Sequence, residues 1–346
     1  MNLPKIDSVD FKFAEKARAR WDNLTKPKGS LGKLEDVVCQ VCAIQKTDRP
    51  IIERKRLIVF AGDHGIVQEN VSAYPQEVTI QMVTGFLSGH AAICVLAQRC
   101  GIELKIVDSG IANTIQHPTL HSLHIADGTR NFLEQPAMDS EQMEHAMQTG
   151  IDLASIAKNE GIQMIAGGEM GIGNTTSASA IYASLFSLQA KEVTGRGAGL
   201  DLVGWQHKVH VVQMALKKWR VPQNQPLEIL RHFGGFEIAC LTGFYLGAAV
   251  EQLPAVVDGF ICTAAASIAI QLQPAVRQYL IFAHHSAENG FDRVLQKLDV
   301  QPLLHLGMRL GEGTGAAIAM QLMDDGVALY NQMPTFDEAR VSRNRS

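Results

Sequence analysis

The amino-acid sequence predicts an α/β fold: a Rossmann-like parallel sheet with helices on both faces. Short apolar stretches such as "RLIVF" and "YLIF" alternate along the chain with Ala-rich stretches of helical character. Strands that are apolar throughout are buried on both faces, as in parallel sheets. Most of these strands run into glycine and polar residues, at the edge where open α/β sheets bind their ligands.

Composition narrows the class of protein. The chain has 346 residues, of which 46% are hydrophobic and 19% charged, and its formal net charge is −4. No basic stripe or long apolar run stands out, and the first residues lack the apolar core of a signal peptide. We therefore expect a cytoplasmic protein with neither a nucleic-acid nor a membrane partner.

The first fifty residues predict two helices, at 8–25 and 33–46, separated by the break "KPKGSLGKLE", in which Ser30 is a candidate helix cap. The second helix carries Cys39 and Cys42 in a C-x-x-C spacing. Packing is the favoured role for these thiols, because no second pair of ligands has zinc-finger spacing; metal or redox use is the alternative.

Five apolar strands follow in "RLIVFAGDHG", "ELKIVDSGI", "IQMIAGGEM", "AVVDGF" and "YLIFAHHS". The polar segment 113–142 is predicted to leave the sheet, and a helix is expected near 140–159. Because the carboxyl ends of parallel strands meet at one edge, five strand-end side chains are candidates to border one site. They are Asp63, Asp108, Glu169, Asp258 and Ser286.

The clearest ligand-binding pattern is "GGEMGIGNTTSASA", residues 167–180. Glycines follow a strand, and Asn174, Thr175 and Thr176 open a helix. Helix N-termini carry free N–H groups, and glycines let a phosphate approach them. Because neither a Walker lysine nor G-x-G-x-x-G spacing is present, a phosphate cradle is favoured over a tight turn without fixing the nucleotide.

Three further patterns stay open at this level. A second glycine cluster, "TGRGAGLD", precedes Lys208, whose local pattern favours a solvated helix charge over a phosphate ligand. Asp63–His64 and His284–His285 favour capping or core hydrogen bonds over metal binding. In "RLGEGTGAA", Glu312 is either an incidental turn residue or a reactive carboxylate.

Seven motifs carry a resemblance to a known family. In order along residues 26–317 they are "KPKGSLGKLE", "GDHGI", "SAYPQEVTIQMV", "GGEMGIGNTTSASA", "TGRGAGLD", "VDGF" and "GEGTGAA". The chain closely resembles the nicotinate-nucleotide:5,6-dimethylbenzimidazole phosphoribosyltransferase family. The resemblance implies transfer of ribose-5-phosphate from nicotinate mononucleotide to an aromatic lower-ligand base of cobamides (vitamin B12), with release of nicotinate and inversion at C1′.

The resemblance also implies an organisation. It predicts a dimer without a metal or redox cofactor, with an α/β catalytic domain at 53–332. A small helical domain is expected from residues 1–52 together with 333–346.

Residue roles follow from the same resemblance. Glu312 matches the family's general base. The nucleotide and its phosphate are assigned to a larger set, which moves Lys208 from solvated charge to ligand. That set is Glu169, Gly171, Gly173, Asn174, Thr175, Thr176, Gly197, Lys208 and Ser286.

The acceptor pocket departs from the usual family pattern. Tyr74, Met82 and Met170 resemble the subgroup that glycosylates phenol or p-cresol and that can act as a heterodimer of two related chains; Leu310 is placed beside them. A one-residue shift would put Gln81 in the place of Met82.

Two other functions remain as alternatives. A non-catalytic subunit could complete a paralogous chain's site. A dinucleotide-binding oxidoreductase is disfavoured, because no G-x-G-x-x-G follows "RLIVF".

Overall fold

Six parallel strands form the centre of the protein. The structure, a computed structural model, describes residues 3–113 and 115–342. The strands are β1 (Lys55–Gly62), β2 (Ile102–Gly110), β3 (Leu120–Ser122), β4 (Met164–Met170), β5 (Ala255–Val257) and β6 (Leu280–Phe282). They pair in the order β3-β2-β1-β4-β5-β6, every pair parallel. The predicted fold class is confirmed.

Helices cover the sheet. Before β4 they are α1 (Phe11–Asn23), α2 (Lys33–Gln45), α3 (Val78–Leu87), α4 (Ala92–Arg99) and α5 (Ser140–Asn159). After β4 they are α6 (Asn174–Phe186), α7 (Ala190–Val193), α8 (Leu202–Trp219), α9 (Pro226–Phe233), α10 (Phe236–Val250), α11 (Phe260–Leu272), α12 (Phe291–Leu298) and α13 (Thr314–Gln332). Two short 3-10 turns, Gly65–Glu69 and Pro274–Tyr279, complete the pattern.

Strand β1 lies at the centre of the sheet, and all eight of its residues are buried. It pairs with β2 on one side and with β4 on the other. The chain therefore runs outward from β1 to β2 and β3, then returns to the far side of β1 with β4. Such a reversal opens a crevice at the carboxyl ends of the two central strands, where α/β proteins bind ligands.

Two local predictions need correction. The segment 113–142 does not leave the sheet entirely, since Leu120–Ser122 pairs with β2 as the edge strand. Ser30 does not cap α2. The position before the helix is Gly32, at a φ of 54°, and it makes no side-chain cap. The buried carboxylate of Glu35 binds this turn instead, accepting from the backbone of Leu31 at 3.1 Å and from Lys26 at 2.7 Å.

Helices α5 and α10 cross at very close range because glycines face each other there. A Cβ at Gly243 would lie 1.8 Å from the carbonyl oxygen of Met147, and one at Gly150 would lie 1.9 Å from that of Cys240. This contact seats α10 against the sheet, so that its first turn reaches the carboxyl end of β1.

The segment after α1 lies beside the segment after α13. Leu24, which follows α1, forms an isolated antiparallel bridge with Thr335. Residues 333–342 add turns rather than a helix, and residues 1–2 and 343–346 of the expected helical domain lie outside the described residues. The division into 1–52 with 333–346 and 53–332 stays a prediction.

The C-x-x-C pair lies in α2, as expected. Both Cys39 and Cys42 are buried and unbridged. Burial raises the pKa of Cys39 to about 11 and that of Cys42 to about 12. These thiols are therefore protonated at neutral pH, as packed core side chains are.

One stretch of the described chain, Val78–Arg99, has the length and mean hydropathy (1.6) of a membrane span. The structure divides it into α3, of 10 residues, and α4, of 8, with residues 88–91 between them. Each helix is far shorter than the roughly 20 residues that cross a bilayer.

Candidate active site

A cavity of about 450 Å³ opens at the carboxyl ends of β4, β5 and β6. Eleven of the predicted site residues line it. They are Tyr74, Met82, Glu169, Met170, Gly171, Asn174, Thr175, Gly197, Ser286, Leu310 and Glu312. Gly173, Thr176, Lys208 and Gln81 do not.

Glu312 has an unusual backbone. It lies at a φ of 62°, between Gly311 at 85° and Gly313 at 82°, so three successive residues are left-handed. This conformation costs a residue with a Cβ roughly 1–2 kcal/mol. Strain of this kind persists only where the surrounding structure imposes it, and it is concentrated at functional sites.

The carboxylate of Glu312 is buried, and its Oε2 atom has no hydrogen-bond partner. Burial raises its pKa above the ordinary value, and the negative charge of Asp258 adds to this effect. A hydrogen bond from the backbone N–H of Ile93, in the first turn of α4, opposes part of the rise. A carboxylate with one oxygen free of partners and a raised pKa is suited to accept a proton from a ligand in the cavity.

A second carboxylate, Glu169, lies against the Glu312 loop. A Cβ at Gly311 would come within 2.4 Å of Oε1 of Glu169, so only glycine fits beside it. The side-chain amide of Asn174 donates to Glu169. Burial, with Asp258 and Glu237 nearby, raises the pKa of Glu169 to about 8. The neutral acid therefore predominates at pH 7, and it can donate a hydrogen bond.

The glycine loop after β4 has the form of an anion cradle. Gly173, at a φ of 98°, precedes α6 and supplies no side-chain cap. The N–H groups of Asn174 and Thr176 bond to the carbonyls of Gly171 and Gly173, at 3.1 and 2.9 Å. An anion would therefore meet the positive N-terminal end of α6 and the side chains of Asn174 and Thr175, which line the cavity. Thr176 is fully buried below this turn, and its Oγ1 has no partner.

Lys208 is not the solvated charge that its local pattern favours. It is 1% exposed, and its ammonium donates to Oγ1 of Thr175 at 2.7 Å. A Cβ at Gly197 would lie 3.2 Å from Nζ of Lys208 and 3.0 Å from Oγ1 of Thr175. The second glycine cluster therefore folds directly over Lys208. Burial lowers the pKa of Lys208 to about 8, and Glu288 opposes this shift.

The other end of the cavity is apolar. Met82 of α3 and Met170 of β4 line it, and Tyr74 and Leu310 stand half-exposed at its mouth, at 49% and 58%. Gln81 points to solvent instead. Of the two registers left open by the sequence, the structure puts Met82 at the cavity.

Two of the five strand-end candidates do not border the cavity, because the chain after β2 covers them. Asp63 accepts from the backbone of Ala112 at 2.9 Å. Asp108 accepts from the backbone of Gly110 and Ile111, each at 2.9 Å. Both carboxylates bind backbone N–H groups at or just after the end of β2, whereas Glu169, Asp258 and Ser286 line the cavity.

His64 makes the core hydrogen bonds that its sequence pattern favours, in a buried cluster whose other members were not predicted. Its Nδ1 lies 2.9 Å from Oγ of Ser177, in α6, and its Nε2 lies 2.7 Å from Oε1 of Glu237, in α10. A Cβ at Gly171 or Gly173 would come within 3.3 Å or 3.2 Å of the His64 side chain. The cluster therefore supports the back of the phosphate cradle, a role in hydrogen bonding rather than metal binding. Across residues 3–113 and 115–342, no group of three His, Cys, Asp or Glu side chains is arranged to hold a metal.

Arg309 was also missed as a site residue. Its guanidinium donates to the carbonyl of Gly197 at 3.2 Å, and it borders both the main cavity and a neighbouring opening of about 700 Å³. Its place directly before the "LGEGTG" segment is the signal that the sequence offered. Arg309 ties the loop carrying Glu312 to the glycine cluster over Lys208.

Known proteins give an independent view of this arrangement. The model of a family described as "Phosphoribosyltransferase" matches residues 6–341. The nicotinate-nucleotide–dimethylbenzimidazole phosphoribosyltransferase of Chlorobaculum tepidum is 46% identical over 98% of this chain and 97% of its own. The protein of the same name from Pseudomonas fluorescens is 47% identical over the same shares. The crystal structure of CobT from Thermus thermophilus superposes with a TM-score of 0.92, at 41% identity, over 96% of this chain and 100% of that one.

Proposed function

This chain belongs to the phosphoribosyltransferase family, and it is an enzyme of that class. We propose that it transfers ribose-5-phosphate from nicotinate mononucleotide to an aromatic base for assembly of the cobamide nucleotide loop. The relatives' names supply dimethylbenzimidazole as one acceptor. Phenol or p-cresol is the acceptor that we propose this chain prefers.

One observation carries the reaction class. The cavity joins a phosphate cradle, with Lys208 behind it, to an apolar end beside the carboxylate of Glu312, whose Oε2 atom has no hydrogen-bond partner. In the proposed reaction the acceptor attacks C1′ of the ribose and forms a new glycosidic bond. The bond from C1′ to nicotinate breaks, and its electron pair neutralises the pyridinium. Nicotinate therefore leaves without an acid, and one base with good positioning suffices.

The acceptor decides which proton Glu312 takes. A benzimidazole attacks through a nitrogen that has a free lone pair, and the base removes the N–H proton from the other nitrogen. A phenol attacks through oxygen, whose O–H has a pKa of about 10 against about 4.3 for an ordinary glutamate. Full transfer of that proton would be uphill by roughly 8 kcal/mol.

The surroundings of Glu312 lower the free energy needed to transfer a proton from a phenol. Burial raises the pKa of Glu312, which narrows the gap to a phenol. Met82 and Met170 supply apolar surroundings, and thioethers pack well on aromatic rings. In this proposal Tyr74, at the mouth of the cavity, either donates a hydrogen bond to the phenol oxygen or fills the space of the missing second ring. These three side chains support the phenolic preference.

Incubation with nicotinate mononucleotide and one acceptor at a time tests the proposal. Phenol, p-cresol and 5,6-dimethylbenzimidazole would be compared by kcat/KM, with nicotinate release as the signal. We expect release with all three and the highest kcat/KM for a phenolic acceptor. Strict preference for dimethylbenzimidazole refutes the proposed preference for phenols. Absence of nicotinate release with every acceptor refutes the proposed reaction.

We further propose that the protein is a cytoplasmic dimer, either of identical chains or of this chain and a paralogue. The alternative is a non-catalytic subunit that only completes a partner's site. The intact Glu312 loop and phosphate cradle favour a catalytic chain. Turnover by the purified chain alone, with its mass measured by light scattering in the same sample, separates these possibilities.

A further inference from the structure

Asp258 follows β5 and lies at the edge of the cavity, only 2% exposed. Its Oδ1 accepts from the backbone N–H of Ala316 at 2.8 Å. The backbone N–H groups of Gly313 and Gly315 also favour the ionised form of this carboxylate and oppose the rise in its pKa that burial causes. Asp258 is therefore hydrogen-bonded to the start of α13 through Ala316, and the neighbouring amides act on the same carboxylate.

Those amides are the ones that a helix leaves unpaired at its N-terminus, where a side chain of the preceding residue usually accepts from them. In α13 the preceding residue is Gly313, which has no side chain to do so. Asp258, which follows β5, supplies the missing acceptor for Ala316, 58 residues away in the chain.

Glu312 stands directly before this capped turn. Its carbonyl packs on the backbone of β4, where a Cβ at Gly168 would lie 2.7 Å from the oxygen. The left-handed segment 311–313 is therefore held between β4 on one side and Asp258 on the other. Without the carboxylate, the backbone of Glu312 could relax from its strained conformation and withdraw the side chain.

His284 of the next strand end supports Asp258 from behind. Its Nε2 lies 3.9 Å from Oδ1 of Asp258. A Cβ at Gly259 would lie 2.7 Å from that ring, and one at Gly315 would lie 2.1 Å from it. Imidazole, carboxylate and helix start therefore form one packed unit.

We propose that Asp258 is a positioning residue for Glu312: by capping α13 from β5, it keeps Glu312 left-handed with its carboxylate at the cavity. The kinetic consequence rests on the proposed function, whereas the structural consequence does not.

The kinetic test compares Asp258→Ala with the intact enzyme, using nicotinate mononucleotide and the best acceptor. We expect kcat to fall by at least about 30-fold, because small misplacements of a base cost that much, while KM for the nucleotide stays within about threefold. Asp258→Asn keeps one acceptor oxygen, so its kcat should lie between that of Asp258→Ala and that of the intact enzyme. A raised KM with kcat retained would instead make Asp258 a direct substrate contact and overturn the proposal.

A double-mutant cycle with Glu312→Gln separates positioning from general damage. If Asp258 acts through Glu312, Asp258→Ala lowers kcat no further once Glu312 is replaced. If the two substitutions lower kcat independently, so that their fold-changes multiply in the double variant, the proposal is overturned. Asp139→Ala is the matched control, because Asp139 caps α5 by accepting from Gln142 at 2.8 Å, outside the cavity lining. It should lower Tm and leave kcat unchanged.

A crystal structure of the Asp258 variants tests the proposal without any turnover. We expect the φ angle of Glu312 to leave the left-handed region in Asp258→Ala. If that variant does not fold, Asp258→Asn serves, with residues 311–313 expected to show raised mobility. An unchanged Glu312 in the variant overturns the inference, whatever the enzyme's activity. Absence of nicotinate release by the unmodified enzyme refutes the proposed function alone.

Discussion

The ammonium of Lys208 donates to the hydroxyl of Thr175 at 2.7 Å, joining α8 to the first turn of α6 at the phosphate cradle. Lys208 is buried below the glycine cluster, and the negative charge of Glu288 acts on it. A buried ammonium behind the N-terminus of α6 adds positive charge where a phosphate would sit.

Replacing Lys208 by methionine should weaken binding of nicotinate mononucleotide. We expect KM to rise about 10- to 100-fold with a smaller change in kcat, since charged hydrogen bonds contribute about 1.5–3 kcal/mol. Steady-state kinetics measure this. Lys217→Met is the control, because Lys217 lies exposed on the same helix. Equal effects of the two substitutions would remove Lys208 from the site.

The rate should depend on pH through Glu312. A base acts in its ionised form, so kcat should fall as the pH drops through the raised pKa of Glu312, above the ordinary 4.5. Asp258, Glu169 and the thiol of Cys94 surround this group, and the N–H of Ile93 bonds to it.

The pH profile of kcat/KM should also fall at high pH. The ammonium of Lys208 loses its charge as the pH rises through about 8, which weakens phosphate binding. A profile of kcat that stays flat down to pH 4.5, or an acid limb unmoved in Glu312→Asp, contradicts the assignment of the base.

The register of α3 can be tested through the acceptor. Met82 borders the cavity and Gln81 faces solvent. Met82→Ala should raise KM for the aromatic acceptor about 10-fold, because roughly 1.5 kcal/mol of apolar contact is lost, and it should leave KM for the nucleotide unchanged. Gln81→Ala should change neither. The reverse outcome would show that Gln81 occupies the pocket.

The crossing of α5 and α10 should be sensitive to one methyl group. In Gly243→Ala the new Cβ would meet the carbonyl oxygen of Met147, which belongs to rigid helix backbone. We expect a loss of about 2–3 kcal/mol in the free energy of unfolding, seen as a fall in Tm of roughly 5 °C. In α3, Gly85 has nothing within 4 Å of its Cβ position, so Gly85→Ala should be neutral or stabilising. Equal Tm values for both variants would contradict the close contact.

The local sequence pattern predicts the parallel sheet and the phosphate cradle, because each depends on residues that are consecutive in the chain. From Leu57 onward the buried residues of β1 form an apolar run, and the loop after β4 keeps its glycines next to the start of α6. Chain order and parallel pairing then brought Glu169, Asp258 and Ser286 to one edge.

Long-range packing decided the rest. Lys208 has the local pattern of a surface residue, and only the fold of the loop around Gly197 buries it. His64 meets Glu237 across 173 positions of the chain, a pairing that no spacing rule reveals. Asp63 and Asp108 end strands like the other candidates, yet the covering chain after β2 takes their hydrogen bonds.

The central claim is that Glu312 removes the acceptor's proton during transfer of the phosphoribosyl group. The most direct test is nicotinate release in a single turnover by Glu312→Gln, with nucleotide affinity measured on the same protein by calorimetry. The account predicts an unchanged Kd for nicotinate mononucleotide and a transfer rate at least about 100-fold lower, as general bases contribute roughly 10²–10⁴-fold. Glu134→Gln, an exposed site outside the cavity, should transfer at the normal rate. A near-normal rate in Glu312→Gln would contradict the account.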